Sequence, residues 1–140
     1  MVKRVLDVGM MQIASSLSSF TGASVLDVSE QEGALVFVVA EGDVGKAVGP
    51  QGSKVKRVEE LLKRKIKIVE FNSELKRFVE NVIAPVRAKY VELDGDVVVI
   101  TPVDFKSRGV LIGKNASDLR LLESVVKRFF SVSKVKIQEV

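Results

Sequence analysis

The chain has 140 residues, of which 46% are hydrophobic, and this supports the packed core of one ordinary domain or of two very small ones. Its 22 basic residues exceed its 18 acidic residues, and the formal charge of +4 favours an anionic partner without requiring one. Cysteine and histidine are absent, which excludes disulfides, thiol nucleophiles, the usual zinc sites and proton transfer through imidazole.

An amphipathic helix is the first predicted element. Its apolar residues recur at spacings of three and four, which places them on one face, and the pattern ends at Gly22. These residues are Val2, Val5, Leu6, Met10, Ile13 and Leu17. Asp7 argues against a signal peptide, and no apolar run approaches the roughly 20 residues that span a bilayer. A soluble, reducing, cytoplasmic setting without membrane contact is therefore expected.

A β-hairpin is predicted next, with arms at residues 24–30 and 34–39 and a turn at Glu32-Gly33. The second arm is rich in β-branched residues, as strands usually are. Two Gly-x-x-Gly matches follow, at residues 42–45 and 49–52. Because the chain contains ten glycines, accidental matches are common, and only the context separates the two.

The second match joins two predicted helices. Apolar Val48 precedes it, and Ser53 begins an amphipathic helix directly after it. Glycines let a phosphate backbone approach the main chain closely, and a helix that begins here points its free N–H groups toward the same loop. Lys54 and Arg57 add formal positive charge. This loop is therefore predicted to hold an anionic backbone.

The second half of the chain repeats the first. A shift of 64 positions lays Gly49 on Gly113 and Ser53 on Ser117. Each half reads helix, strand, strand, short helix, glycine loop, helix, strand. Beyond the elements already given, the predicted ones are a strand at 66–71, a helix at 75–83, a hairpin with arms at 88–93 and 97–101, a loop at 113–116 and a strand at 132–137. The fold class is α+β, with domains at residues 1–72 and 73–140.

The first glycine loop resembles the signature of the KH modules, in which an apolar residue precedes Gly-x-x-Gly and a helix follows. Two strands before the loop and one after it match the type II arrangement. KH modules clamp about four nucleotides of single-stranded nucleic acid with this loop. The resemblance implies this role for residues 49–52. With the flanking apolar and basic positions, the predicted RNA-binding residues are Val48, Gly49, Pro50, Gln51, Gly52, Ser53, Lys54 and Arg57.

The second copy of the loop departs from the signature, because Ala116 stands in place of the final glycine. Lys114 supplies a cation inside the loop itself, and Lys106 and Arg108 precede it. Weakened RNA binding is expected here rather than none. The predicted RNA-binding residues of this copy are Gly113, Lys114, Asn115, Ala116 and Ser117.

Two type II KH modules in tandem resemble the KH pair of the NusA family of transcription termination and antitermination factors, particularly its short archaeal form. The resemblance implies a non-catalytic protein that binds nascent single-stranded RNA across both modules. It also implies no cofactor, no metal and no small-molecule substrate. A monomer is expected, with RNA polymerase as a further candidate partner.

Two other classes of function stay open. KH folds also serve as docking surfaces, so a protein-docking or assembly factor on RNA polymerase or the ribosome is the alternative hypothesis. An enzyme is the weakest hypothesis, because no nucleophile, base and orienting group form a recognisable set. Asp94 and Asp96 are better explained by a polar hairpin turn than by a metal site.

The remaining charged and aromatic residues predict structural roles. A basic cluster is interpreted as a solvated helix end, and it comprises Lys63, Arg64, Lys65 and Lys67. Most of the phenylalanines occupy core-type positions, which leaves few aromatic rings for base stacking. These phenylalanines are Phe37, Phe71, Phe78, Phe105, Phe129 and Phe130.

Overall fold

A computed structural model describes residues 8–31 and 34–140, and its contacts divide the chain into two compact units, Met1–Asn72 and Ser73–Val140. The start of the first predicted helix and the predicted turn at Glu32-Gly33 lie outside the described residues. Among the described residues, no helix is long and apolar enough to span a bilayer.

In its described part, the first unit contains three α-helices and a three-stranded sheet. Its elements are α1 (Val8–Thr21), β1 (Val25–Gln31), β2 (Ala34–Val39), α2 (Val44–Val48), a 3-10 turn (Pro50–Gly52), α3 (Ser53–Leu62) and β3 (Ile66–Glu70). Strand β2 lies in the centre, antiparallel to β1 and parallel to β3. The order of elements is the one that the sequence predicts.

The second unit has the same elements in the same order. They are α4 (Leu75–Ile83), β4 (Ala88–Asp94), β5 (Val97–Pro102), α5 (Phe105–Ile112), a 3-10 turn (Lys114–Ala116), α6 (Ser117–Phe129) and β6 (Lys134–Ile137). Central β5 is antiparallel to β4 and parallel to β6. Helix α6 is three residues longer than its counterpart α3. The final strand starts at Lys134, which is two residues later than the sequence predicts.

The core of the first unit lies between α1, α3 and the sheet. Leu17 of α1 and Val58 of α3 are buried together with Phe37 of β2, which is fully enclosed. The apolar face of each helix follows the spacing of three and four in the sequence, and burying it against the sheet stabilises elements that are too short to be stable alone. This packing holds the start of α3, and therefore the glycine loop before it, in a defined position.

The core of the second unit centres on Phe78 of α4. Its ring lies 5.3 Å from the ring of Phe129 in an edge-to-face arrangement and 5.6 Å from that of Phe130. The predicted core positions of Phe37 and Phe78 are confirmed, since both are fully buried. The prediction for Phe105 is wrong, because this residue is 77% exposed. Phe105 is the first residue of α5 and directly follows the helix cap Asp104, shortly after β5 ends at Pro102. Its side chain is left uncovered by neighbouring elements.

One glutamate in each unit ties the helix after the glycine loop to the third strand. Glu59 accepts the backbone N–H of Ile66 at 2.9 Å, and Glu123 accepts that of Val135 at the same distance. Both N–H groups lie on the side of the strand that does not pair with the sheet. The repeat of this glutamate in the sequence thus has a structural cause, since a charged acceptor stabilises such a donor by about 1.5–3 kcal/mol.

Candidate nucleic-acid interface

The first glycine loop has a backbone that non-glycine residues seldom adopt. Gly49 has φ 75° and ψ 172°, Gln51 has φ 54°, and Gly52 has φ 73°. The loop closes on itself through a hydrogen bond from the Gly52 N–H to the Gly49 carbonyl, 3.1 Å long. Helix α3 begins directly afterwards, and no side chain caps its first turn. The Ser53 N–H donates to the Pro50 carbonyl, so the N–H groups available to an anion are those that follow it in the first turn of α3.

The second loop has the same conformation as the first. Gly113 has φ 75° and ψ 175°, Asn115 has φ 55°, and Ala116 has φ 59°. The closing bond is also present, from the Ala116 N–H to the Gly113 carbonyl at 3.2 Å. Replacement of glycine by alanine in this copy has therefore preserved the loop. An alanine can take this left-handed conformation, at a cost of roughly 1–2 kcal/mol.

The first glycine of each loop has no room for a side chain. A methyl group on Gly49 would stand 2.7 Å from Lys54 Cγ and 3.0 Å from the Lys54 backbone nitrogen. A methyl group on Gly113 would stand 2.8 Å from Asp118 Cγ. At Gly52, by contrast, the nearest atom would be Lys56 Cε at 3.8 Å, an ordinary contact. Packing requires the first glycine, whereas only backbone conformation favours the last.

Comparison with known proteins identifies relatives of this chain. The family model described as "KH domain" matches residues 10–76. A "Probable transcription termination protein NusA" of Methanococcus vannielii is 31% identical over 88% of this chain and 73% of its own length. One from Halococcus morrhuae is 29% identical over 84% of this chain and 86% of its own. The chain belongs to the archaeal NusA family.

A solved structure supports this assignment at the level of the fold. The crystal structure of APE1850 is 30% identical to this chain and superposes with a TM-score of 0.71, covering 91% of this chain and 96% of its own. The predicted α+β fold of two tandem type II KH modules is therefore confirmed, in the second half by the same order of elements and the same sheet.

The predicted contact residues differ in how far this NusA-family chain exposes them. In the first loop Pro50, Gln51, Ser53 and Arg57 are exposed, while Val48, Gly49, Gly52 and Lys54 are partly buried. In the second loop Lys114 and Asn115 are exposed, Gly113 and Ala116 are partly buried, and Ser117 is buried. The tip of each loop thus faces solvent, and Ser117 presents little of its side chain to a ligand.

Several nearby cations are engaged elsewhere within their own unit. Lys54 Nζ lies 3.4 Å from the carbonyl of Thr21 at the end of α1. Arg108 Nε donates to the carbonyl of Gln138 at 3.0 Å, which links α5 to the chain after β6. In the basic cluster, Arg64 forms an ion pair with Glu30, so this side chain is more than a solvated helix end. Sequence spacing alone gave no sign of these partners.

Helix α5, which leads into the second loop, is capped by Asp104. The carboxylate accepts the backbone N–H of Ser107 at 2.7 Å. This bond, a second one from the Ser107 hydroxyl and the charge of Lys106 together hold the pKa of Asp104 below its ordinary value. The first turn of α5 is fixed in this way. Among the described residues, no three acidic side chains cluster as a metal site would require.

Substituting Ala116→Gly should raise the free energy of unfolding by about 1 kcal/mol. Glycine relieves left-handed strain of roughly 1–2 kcal/mol and adds a smaller cost in backbone entropy. Urea denaturation would measure this change. The matched control is Ala88→Gly in β4, where the strand conformation gives glycine no advantage and stability should fall. No rise for Ala116→Gly would show that the loop backbone differs from the one described.

Proposed function

We propose that this chain is a non-catalytic, single-stranded RNA-binding factor in transcription termination and antitermination, which binds nascent RNA at the loop Gly49 to Gly52. One observation carries the proposal. The loop presents an uncapped N-terminus of α3 beneath two exposed side chains, Pro50 and Gln51, with glycines on either side. Such a site accepts a phosphate through N–H groups and the helix dipole without needing a large basic surface.

Charge around the first loop favours the same ligand. Lys56 and Arg57 lie exposed in the first turns of α3, and residues 49–57 contain three cations and no acid. The partly buried Val48 and Val55 flank the loop and offer an apolar surface for bases. Phosphate contacts position a nucleic acid, and contacts with bases then select its sequence. The second loop, Gly113 to Ser117, is a further candidate RNA contact in its own unit.

The relatives support the biological setting of the proposal. These relatives share the name of a probable transcription termination protein, and the family match adds the KH domain. KH modules hold about four nucleotides at their glycine loop. A chain with this loop in a family of such proteins is most simply explained as an RNA-binding termination factor of the cytoplasm, acting as a monomer.

Equilibrium titration with labelled RNA tests the proposal. A single-stranded oligonucleotide should bind, and the same strand annealed to its complement should bind at least tenfold more weakly, because a duplex does not offer its bases to the groove. Local charge predicts a shallow salt dependence, with a slope of about −0.7 for each phosphate contact and only a few contacts. Equal affinity for the duplex, or no binding at all, would contradict the proposal.

Docking on RNA polymerase or the ribosome is the second candidate function, and one surface feature favours it. Val103, Phe105 and Val110, at and just before α5, are large apolar residues left more than half exposed. Exposed aromatic residues of this kind are frequent at protein interfaces. Firm co-purification with polymerase in the absence of any RNA affinity would favour this role over the first.

A further inference from the structure

The residue that covers the first glycine differs in charge between the two loops. In the first unit the side chain of Lys54 packs against Gly49, and in the second unit the side chain of Asp118 packs against Gly113. Lys54 and Asp118 occupy equivalent positions, five residues after each glycine and second in their helices. The backbone angles of the two loops are otherwise similar, since Gly49 and Gly113 both have φ 75° and the last loop residues have φ 73° and 59°.

The charge difference extends through the first turns of the two helices. Residues 53–57 contain three cations and no acid, whereas residues 117–121 contain one cation, Arg120, and one acid, Asp118. The position of Arg57 is taken by Leu121 in the second helix. An anion approaching the N-terminus of α3 therefore meets net positive charge, and one approaching α6 meets a carboxylate beside the loop.

A carboxylate in the first turn of a helix interacts favourably with the helix dipole. Asp118 thus supplies to α6 the negative charge that a bound phosphate would supply to α3. A phosphate at the second loop would have to approach this carboxylate, and like charges at such short range repel each other. With the exposed Lys114 and Arg120, residues 113–121 carry a formal charge of +1, against +3 for residues 49–57, so a phosphate is attracted less strongly to the second loop.

We propose that Asp118 determines the specificity of the second loop by excluding RNA phosphate from it, so that the chain has a single phosphate clamp, at Gly49 to Gly52. This inference rests on the proposed function and sharpens it. The second unit then contributes contacts with bases or sugars alone. The side chain of Asp118, rather than the replacement of glycine by Ala116, separates the two loops, because the backbone geometry is retained.

The test compares Asp118→Lys with a charge-matched substitution far from the loop. Asp96→Lys changes the net charge equally and lies at the β4–β5 turn. The Asp96 carbonyl accepts the N–H of Ser133, just after α6 ends, so the length of that 13-residue helix, about 20 Å, separates it from the loop. Asp118→Asn removes the charge without adding a cation and serves if the lysine variant fails to fold.

Single-stranded RNA affinity should rise roughly tenfold in Asp118→Lys and by a smaller factor in Asp118→Asn, with a salt slope steeper by about 0.7 for the lysine variant. Asp96→Lys should change affinity less than twofold. The same Asp118→Lys change should restore binding to a chain whose first loop carries Pro50→Asp and Gln51→Asp.

Three outcomes of this experiment separate the two proposals. If the wild type binds through its first loop and Asp118→Lys gains no more affinity than Asp96→Lys, the inference is wrong and the proposed function stands. If the wild type does not bind RNA, the proposed function fails and the inference fails with it. A gain specific to position 118 supports both.

Discussion

Introducing aspartate at both exposed positions of the first loop, with Pro50→Asp and Gln51→Asp, should weaken single-stranded RNA binding about 30-fold. Two carboxylates next to bound phosphates cost about 2 kcal/mol at the effective dielectric of a protein surface. Both side chains are exposed, and Asp tolerates the left-handed conformation found at Gln51. Titration with a labelled oligonucleotide gives the affinity, and thermal melting confirms that the fold is kept.

Two matched variants control this result. Pro50→Asn with Gln51→Asn reproduces the shape of aspartate without its charge, and affinity should fall no more than about threefold. Lys114→Asp with Asn115→Asp places two carboxylates at the equivalent positions of the second loop and also removes the Lys114 cation, and the loss should still be several-fold smaller than in the first. Equal losses in both loops would show that the first loop is not the principal site of binding.

Gly49→Ala should lower the free energy of unfolding by about 3 kcal/mol, the largest stability effect expected in the first loop. Gly49 has backbone angles that essentially only glycine adopts, which cost other residues roughly 1–3 kcal/mol. Its new methyl group would also overlap the Lys54 side chain and approach the Lys54 backbone nitrogen at 3.0 Å, an atom that moves only if α3 moves. Urea denaturation, followed by circular dichroism, measures the loss.

Gly52→Ala provides the internal comparison for this prediction. The left-handed φ of 73° costs alanine about 1 kcal/mol net, and its methyl group meets only ordinary contacts. The second unit already contains the equivalent alanine, Ala116, in the same conformation. Similar destabilisation by the two substitutions would contradict the account of why the first glycine is required.

Much of the fold follows from the sequence because three signals agree. The internal repeat predicts two equal units, the spacing of apolar residues predicts helices such as α4, and Asp94-Gly95 predicts the hairpin between β4 and β5, where Gly95 has φ 63°. The local sequence patterns and the overall fold favour the same secondary structure, which is typical of natural domains. Of the two Gly-x-x-Gly matches, only the one at residues 49–52 lies between two predicted helices, and this context distinguishes it from the match at residues 42–45.

The side-chain partners and the exposure of individual residues could not be predicted, because they depend on contacts between residues far apart in the chain. The contact between Lys54 and the Thr21 carbonyl, and the hydrogen bond from the Val135 N–H to Glu123, depend on how the elements pack together, which residue spacing does not specify. The exposure of Phe105 likewise depends on which elements pack against the start of α5, and its neighbours in the sequence do not reveal this. The shift of 64 positions makes Asp118 the counterpart of Lys54, but only the structure places its side chain against Gly113.

The central claim is that single-stranded RNA is held at the loop Gly49 to Gly52. Its most direct test is an NMR titration of the isotope-labelled chain with a short single-stranded RNA, in which each backbone amide is followed separately. The account predicts that the largest shifts occur at Gly49, Gln51, Gly52 and the first turn of α3, with smaller ones around Gly113. Saturating RNA that leaves these amides unshifted, while moving others, would contradict it.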